Sequence, residues 1–181
     1  MNSEVELFYA GIGCTETPED KMRIMVILAE KLDSIGWTLR SGGAPGADQA
    51  FESGATKKRI YLPWKGFENN ESEFYEYEYF HEDYARRFHP IFDSLTQVGK
   101  RMMIRNSAQM MGMSLDEPLS KMVICWTPYG IQTGGTSQAM RIADHFEIPI
   151  FNLYYDDAIE NIFDFVKRIH DEQYNYKPEN L

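Results

Sequence analysis

Chemistry in this sequence is concentrated in three glycine-rich segments: Gly11-Ile12-Gly13-Cys14-Thr15, Ser41-Gly42-Gly43-Ala44-Pro45-Gly46-Ala47-Asp48 and Thr133-Gly134-Gly135-Thr136-Ser137. Each sits between an apolar run and a helical pattern. A turn in that place leaves the first N–H groups of the helix unpaired, and the helix dipole adds positive potential, so an anion is favoured there. Glycine lets the backbone approach a phosphate closely. In the second segment Gly42 and Gly43 supply conformational freedom, Gly46 opens the next helix, and Asp48 can cap N–H groups or hold a ribose hydroxyl. A single such turn is no more than a tight strand-to-helix connection requires. Three of them point to a pocket for a phosphorylated nucleotide or a nucleotide-derived ligand.

The candidate ligand-binding residues are therefore Gly11, Gly13, Cys14, Thr15, Ser41, Gly42, Gly43, Gly46, Asp48, Gly134, Gly135 and Thr136. Arg105 and Asn106 follow Lys100 and Arg101 in a predicted helix and can bring cationic and amide donors to the pocket rim. A solvated basic face is the competing reading. Trp126 closes a predicted strand beside Tyr129, and either ring can stack on a base, although Trp126 suits core packing equally well. No catalytic residue stands out. Glu16 and Asp48 are the candidates, because a carboxylate near an anomeric carbon stabilises an oxocarbenium-like transition state. His81, His89, His145 and His170 lack metal-ligand spacing with cysteines or carboxylates and read as surface or cap residues, so neither a metal nor a cofactor is expected. The sequence contains no GxSxG turn and no Walker A lysine.

The elements that position these turns follow from periodicity. Val5 to Ala10 is an apolar, strand-like run ending at the first glycines. Thr17-Pro18-Glu19-Asp20 offers an N-cap hydroxyl, a proline at the first helical position and acids in the first turn. The helix that follows runs to about Ser34, with Met22, Met25, Val26, Leu28, Ala29 and Leu32 on one face. Further strands are predicted at Trp37–Arg40, Arg59–Leu62, Met122–Trp126 and Pro149–Leu153. Helices are predicted at Ala47–Ser53, Lys100–Met113, Thr136–His145 and about 156–172, with a frayed tail beyond. This alternation predicts one α/β domain over 1–181: a Rossmann-like, doubly wound, mainly parallel five-stranded sheet flanked by helices. Its ligands would sit beyond the carboxyl ends of the strands. An acidic, aromatic insertion spans about 67–98. Its first part, Phe67 to Pro90, reads as a solvated helix whose aromatics pack on the domain, as an oligomer contact or as a flap over the ligand.

Composition narrows the class. At 181 residues and 43% hydrophobic, the chain has enough apolar material for one core. The net charge of −10 disfavours DNA as a partner without forbidding it. Cys14 and Cys125 are too few and too far apart for a disulfide framework, which fits a reducing compartment. No N-terminal stretch has signal-peptide character and no apolar run reaches the ~20 residues of a membrane span. A cytoplasmic protein without a membrane partner is expected.

The second turn and Ile104-Arg105-Asn106 resemble the SGGARGAD turn and RN motif of the SLOG superfamily of Rossmann-like domains. That superfamily includes the DNA-processing protein DprA (Smf), the YspA-like proteins and the LOG phosphoribohydrolases. The resemblance covers about Glu6 to Leu153, and Val123-Ile124-Cys125-Trp126, Gly135-Thr136 and Ile148-Pro149-Ile150 look most like the YspA-like branch. It implies a nucleotide-type ligand at the turns, a tendency to homo-oligomers, and three possible outcomes: sensing or sequestering, single-stranded DNA binding, or N-glycosidic hydrolysis of a nucleoside monophosphate. Departures bear on that choice. Pro45 replaces the turn arginine of DprA-like proteins, and Gly13-Cys14-Thr15 lacks the basic residue of their first turn. Lys100, Arg101, Arg105 and Arg141 remain as a local basic track. Gly134-Gly135-Thr136-Ser137-Gln138-Ala139-Met140 has no glutamate at the place matching the catalytic one of the LOG enzymes, and Gln138 stands near it.

Overall fold

The computed structural model describes residues 6–175. Strands β1 (Leu7–Gly11), β2 (Trp37–Ser41), β3 (Lys58–Ile60), β4 (Val123–Cys125) and β5 (Ile150–Asn152) pair in parallel in the order β3-β2-β1-β4-β5. Among the described residues six α-helices flank them: α1 (Glu19–Ser34), α2 (Ala47–Gly54), α3 (Tyr79–Phe88), α4 (Gln97–Met111), α5 (Thr136–His145) and α6 (Ala158–Asn175). The strand order reverses between β1 and β4, the switch point where doubly wound sheets hold ligands.

Both faces of the sheet are covered, so β1 and β4 are apolar throughout, whereas β2 buries Thr38, Arg40 and Ser41 as well. Every residue of β1 is buried. Side chains alternate between two cores: Leu7 and Tyr9 join Met25, Leu28, Leu32 and Phe51 of α1 and α2. Ala10, Val123 and Cys125 join Met110, Met140 and Ile142 of α4 and α5. Burial in the second core pushes the Cys125 thiol up to about 12, so it packs as an apolar group.

Several expectations shift. Strand and helix limits move by up to three residues; α4, for example, begins at Gln97 rather than Lys100. Val5 and residues 176–181 of the expected frayed tail lie outside the described residues, and the last helix continues to Asn175. Thr17 does not cap α1: Pro18 occupies that place, and the Thr17 hydroxyl donates to the Cys14 carbonyl at 2.7 Å instead. Between Phe67 and the start of α4 the insertion is α-helical only over α3, with single 3-10 turns at Phe67–Asn69 and Phe92–Ser94. Residues 67–78 run largely as irregular chain, bridged to the sheet end at Tyr61 and Phe74 and pinned by the Tyr77 hydroxyl donating to the Leu62 carbonyl at 2.7 Å. His81 is not at the surface. It is wholly buried, with Nε2 2.8 Å from the Gly112 carbonyl and its ring stacked on Phe80, and burial lowers its pKa.

Candidate functional site at the carboxyl edge

The first turn follows β1, the second follows β2 and the third precedes α5, so adjacent strands deliver all three to one edge of the sheet. The first two touch. A Cβ on Gly13 would lie 2.5 Å from the Ala47 Cβ and 3.3 Å from the Trp126 carbonyl, so only glycine fits there between the second turn and the exit of β4. Gly46 has φ +88°, and a Cβ there would meet the Cys14 and Thr15 backbone at 2.8–2.9 Å. The Ser41 hydroxyl donates to the Gly11 carbonyl at 2.7 Å and closes the seam between the first two turns.

Helix α4 supports this floor from below. Arg105 is buried, and its Nη1 donates to the Gly42 carbonyl at 2.6 Å and to the Asp48 carboxylate at 3.3 Å. The next residue, Asn106, donates from Nδ2 to the Gly135 carbonyl at 3.0 Å. Consecutive side chains of one helix thus hold the second and third turns, under the floor rather than at the rim. Asp48 also accepts from the Ala44 N–H at 3.3 Å. Although Arg105 opposes it, burial dominates and pushes the Asp48 carboxyl up from 3.8 to about 6.

The third turn is open to solvent from Ile131 to Gly135, with Gly134 at φ +65° and no atom near where its Cβ would be. The Ser137 hydroxyl donates to the Gly134 carbonyl at 2.7 Å and accepts from Arg141 at 3.1 Å, while Thr136 is buried. Of the other candidates, Trp126 is half-buried against the first core, Tyr129 is 76% exposed, and Cys14, Thr15 and Glu16 lie on the open side of the first turn. Gln138 is wholly buried, donating to the Ser107 hydroxyl at 3.2 Å and leaving its own oxygen unpartnered.

Asn152 was not foreseen. Its amide donates to the Thr127 hydroxyl at 2.6 Å while its oxygen accepts from the Thr127 N–H at 3.3 Å, which fixes the exit of β4 toward the third turn. A polar residue ending the otherwise apolar run of β5 was the only signal in the sequence. Among the described residues no three His, Cys, Asp or Glu side chains gather as metal ligands, and no helix is long and apolar enough to cross a membrane.

What the floor offers is main chain. Helices α1, α2 and α5 follow the three turns without a side-chain cap on their first N–H groups; α3 in the insertion is also uncapped, whereas Thr96 caps α4 by accepting from the Gly99 N–H. Neither a family model nor a curated protein matches the sequence. A solved structure of DNA processing protein A from Helicobacter pylori, described for its single-stranded DNA binding mode, is similar in fold: TM-score 0.50 and 17% identity over 96% of this chain and 83% of that one. The fold is DprA-like. At that identity the likeness reaches the architecture and not the residues of the site.

Proposed function

We propose that this chain binds a nucleotide or nucleotide-derived ligand as a sensor or sequestering module of the SLOG type, with phosphate on the amides of the three glycine turns. One observation carries the reading: three helix N-termini, none capped by a side chain, follow the adjacent strands β2, β1 and β4, on and beside the switch point of a parallel sheet. Anions bind where such N–H groups and dipoles converge.

Binding is favoured over turnover. Asp48 is buried and engaged by Arg105, and an amide, Gln138, stands near where related hydrolases carry their glutamate. A panel of nucleoside mono-, di- and cyclic phosphates and ADP-ribose-type species, followed by native mass spectrometry, is expected to yield a retained ligand. Chromatography after hours of incubation should return it intact. No retention at millimolar concentration overturns the proposal, and released free base reassigns the site as an N-glycosidase.

A second reading, single-stranded DNA binding, has in its favour the similar fold of a protein described for that activity. Against it stand a net charge of −10 and the burial of Arg105, one of the four residues of the basic track.

A further inference from the structure

Helix α4 does more than hold the floor. Gln97 to Ile104 precede the residue that reaches Gly42, and these eight residues form about 12 Å of helix running on toward the insertion. Between this stretch of α4, Trp64-Lys65 and residues 75–82 lies a cavity of about 520 Å³. That is within the range of small-molecule sites. It is tied to the second turn through Tyr77, which lines it and donates to the Leu62 carbonyl at 2.7 Å; the Leu62 side chain in turn packs 3.1 Å from the would-be Cβ of Gly43.

The two walls carry opposite charge. Lys65, Lys100 and Arg101 line the cavity, and among the described residues none of them pairs with a carboxylate. Glu76 and Glu78 line it from the insertion, equally without a cation. Aromatic rings lie among them. Trp64 is held edge-on to Phe67 at 5.1 Å, and Tyr77 is fixed by its hydroxyl bond to Leu62, whereas Tyr79 is 74% exposed and has only the edge-on contact with Phe80.

A flat heterocycle with a negatively charged tail and N–H donors along one edge matches this arrangement. Among nucleobases, guanine presents two adjacent donors, N1–H and N2–H2, which a carboxylate accepts together; adenine turns the N1 lone pair toward the same carboxylate. Resting on the reading of the glycine turns as a phosphate site, we propose that this cavity is the base subsite for a guanine nucleotide. The base lies among Trp64, Tyr75 and Tyr79, with its donor edge toward Glu76 and Glu78. This places the base on the insertion side and not on Trp126 or Tyr129.

Isothermal titration with GMP, IMP, AMP and inorganic phosphate tests it. GMP should bind at least about tenfold more tightly than AMP, the discrimination one bidentate base contact supports, with IMP between them. The double variant Glu76→Gln/Glu78→Gln should erase the GMP-to-AMP ratio, and Tyr79→Ala, at a position outside the core, should weaken both nucleotides while leaving inorganic phosphate unchanged. Equal binding of GMP and AMP by the wild type, or an unchanged ratio in the double variant, overturns the base subsite alone. Absence of binding by every nucleotide and by phosphate overturns the reading of the turns as well.

Discussion

Gly46 joins backbone strain to ligand approach in one atom. Its φ of +88° and its 2.8–2.9 Å clearance from Cys14 and Thr15 leave no room for a methyl group. Gly46→Ala is expected to cost about 1–3 kcal/mol of stability. Because the first two turns must part to admit the methyl, nucleotide binding should fall even in buffer where the variant remains folded, which titration on the folded fraction checks. Asp48 predicts a pH effect of defined sign. Its carboxyl is raised from 3.8 to about 6 in the folded chain, so its contribution is complete below pH ~4 and is lost as pH rises through 6, by about 3 kcal/mol. Asp33 works in the opposite sense. Held below the ordinary range by the Lys57 and Thr56 donors, it contributes above pH ~4 and is lost on acidification. Asp48→Asn should therefore lose less stability than the wild type between pH 4 and 7.5. Parallel melting curves for the two would show that the carboxyl is not dry.

At the scale of elements, α4 is tied to the sheet at both ends of its buried half. Arg105 and Asn106 hold the turns, while past its C-terminal end the Glu117 carboxylate accepts from Arg40 at 2.9 Å and Arg59 at 2.7 Å. Arg40 is wholly buried, with its guanidinium 3.8 Å from the Phe8 ring centroid. Glu117→Ala leaves that cation uncompensated and is expected to cost about 3–5 kcal/mol, read as a lower urea midpoint. Replacing both partners, Arg40→Met with Glu117→Leu, should recover much of the loss. A double variant as unstable as the single one would argue that packing, and not charge, sets the cost. These ties also explain what could be read from the chain beforehand. The apolar run of β1 and the turn after β2 were legible because their signals are local. Arg105 was visible as a polar pair with Asn106, but its partner Gly42 is 63 positions away, so spacing could not tell floor from rim. The insertion was misread as largely helical because its first half is set by distant bonds, among them Ser72 Oγ to the Ile60 carbonyl and Tyr77 to Leu62.

For the whole molecule, strand order concentrates the open amides on one edge while the surface as a whole is acidic. A labelled single-stranded oligonucleotide should show no anisotropy change at 0.15 M salt, where phosphate contacts are largely screened and the net charge repels the strand. Tight binding at that salt, weakened by Lys100→Ala/Arg101→Ala, would replace the small-ligand reading with a DNA one.

If the proposed sites hold, the first half of α4 divides the groups that would grip a ligand from those that would choose it. The floor is main chain locked to the core, so it tolerates little change; the walls carry exposed side chains, among them Lys65, Glu76, Glu78, Tyr79 and Arg101, which can vary without disturbing the core. A lineage of such domains can therefore change its ligand by drift in the insertion alone. The same division makes that segment the natural unit to exchange when a sensor for a different base is wanted.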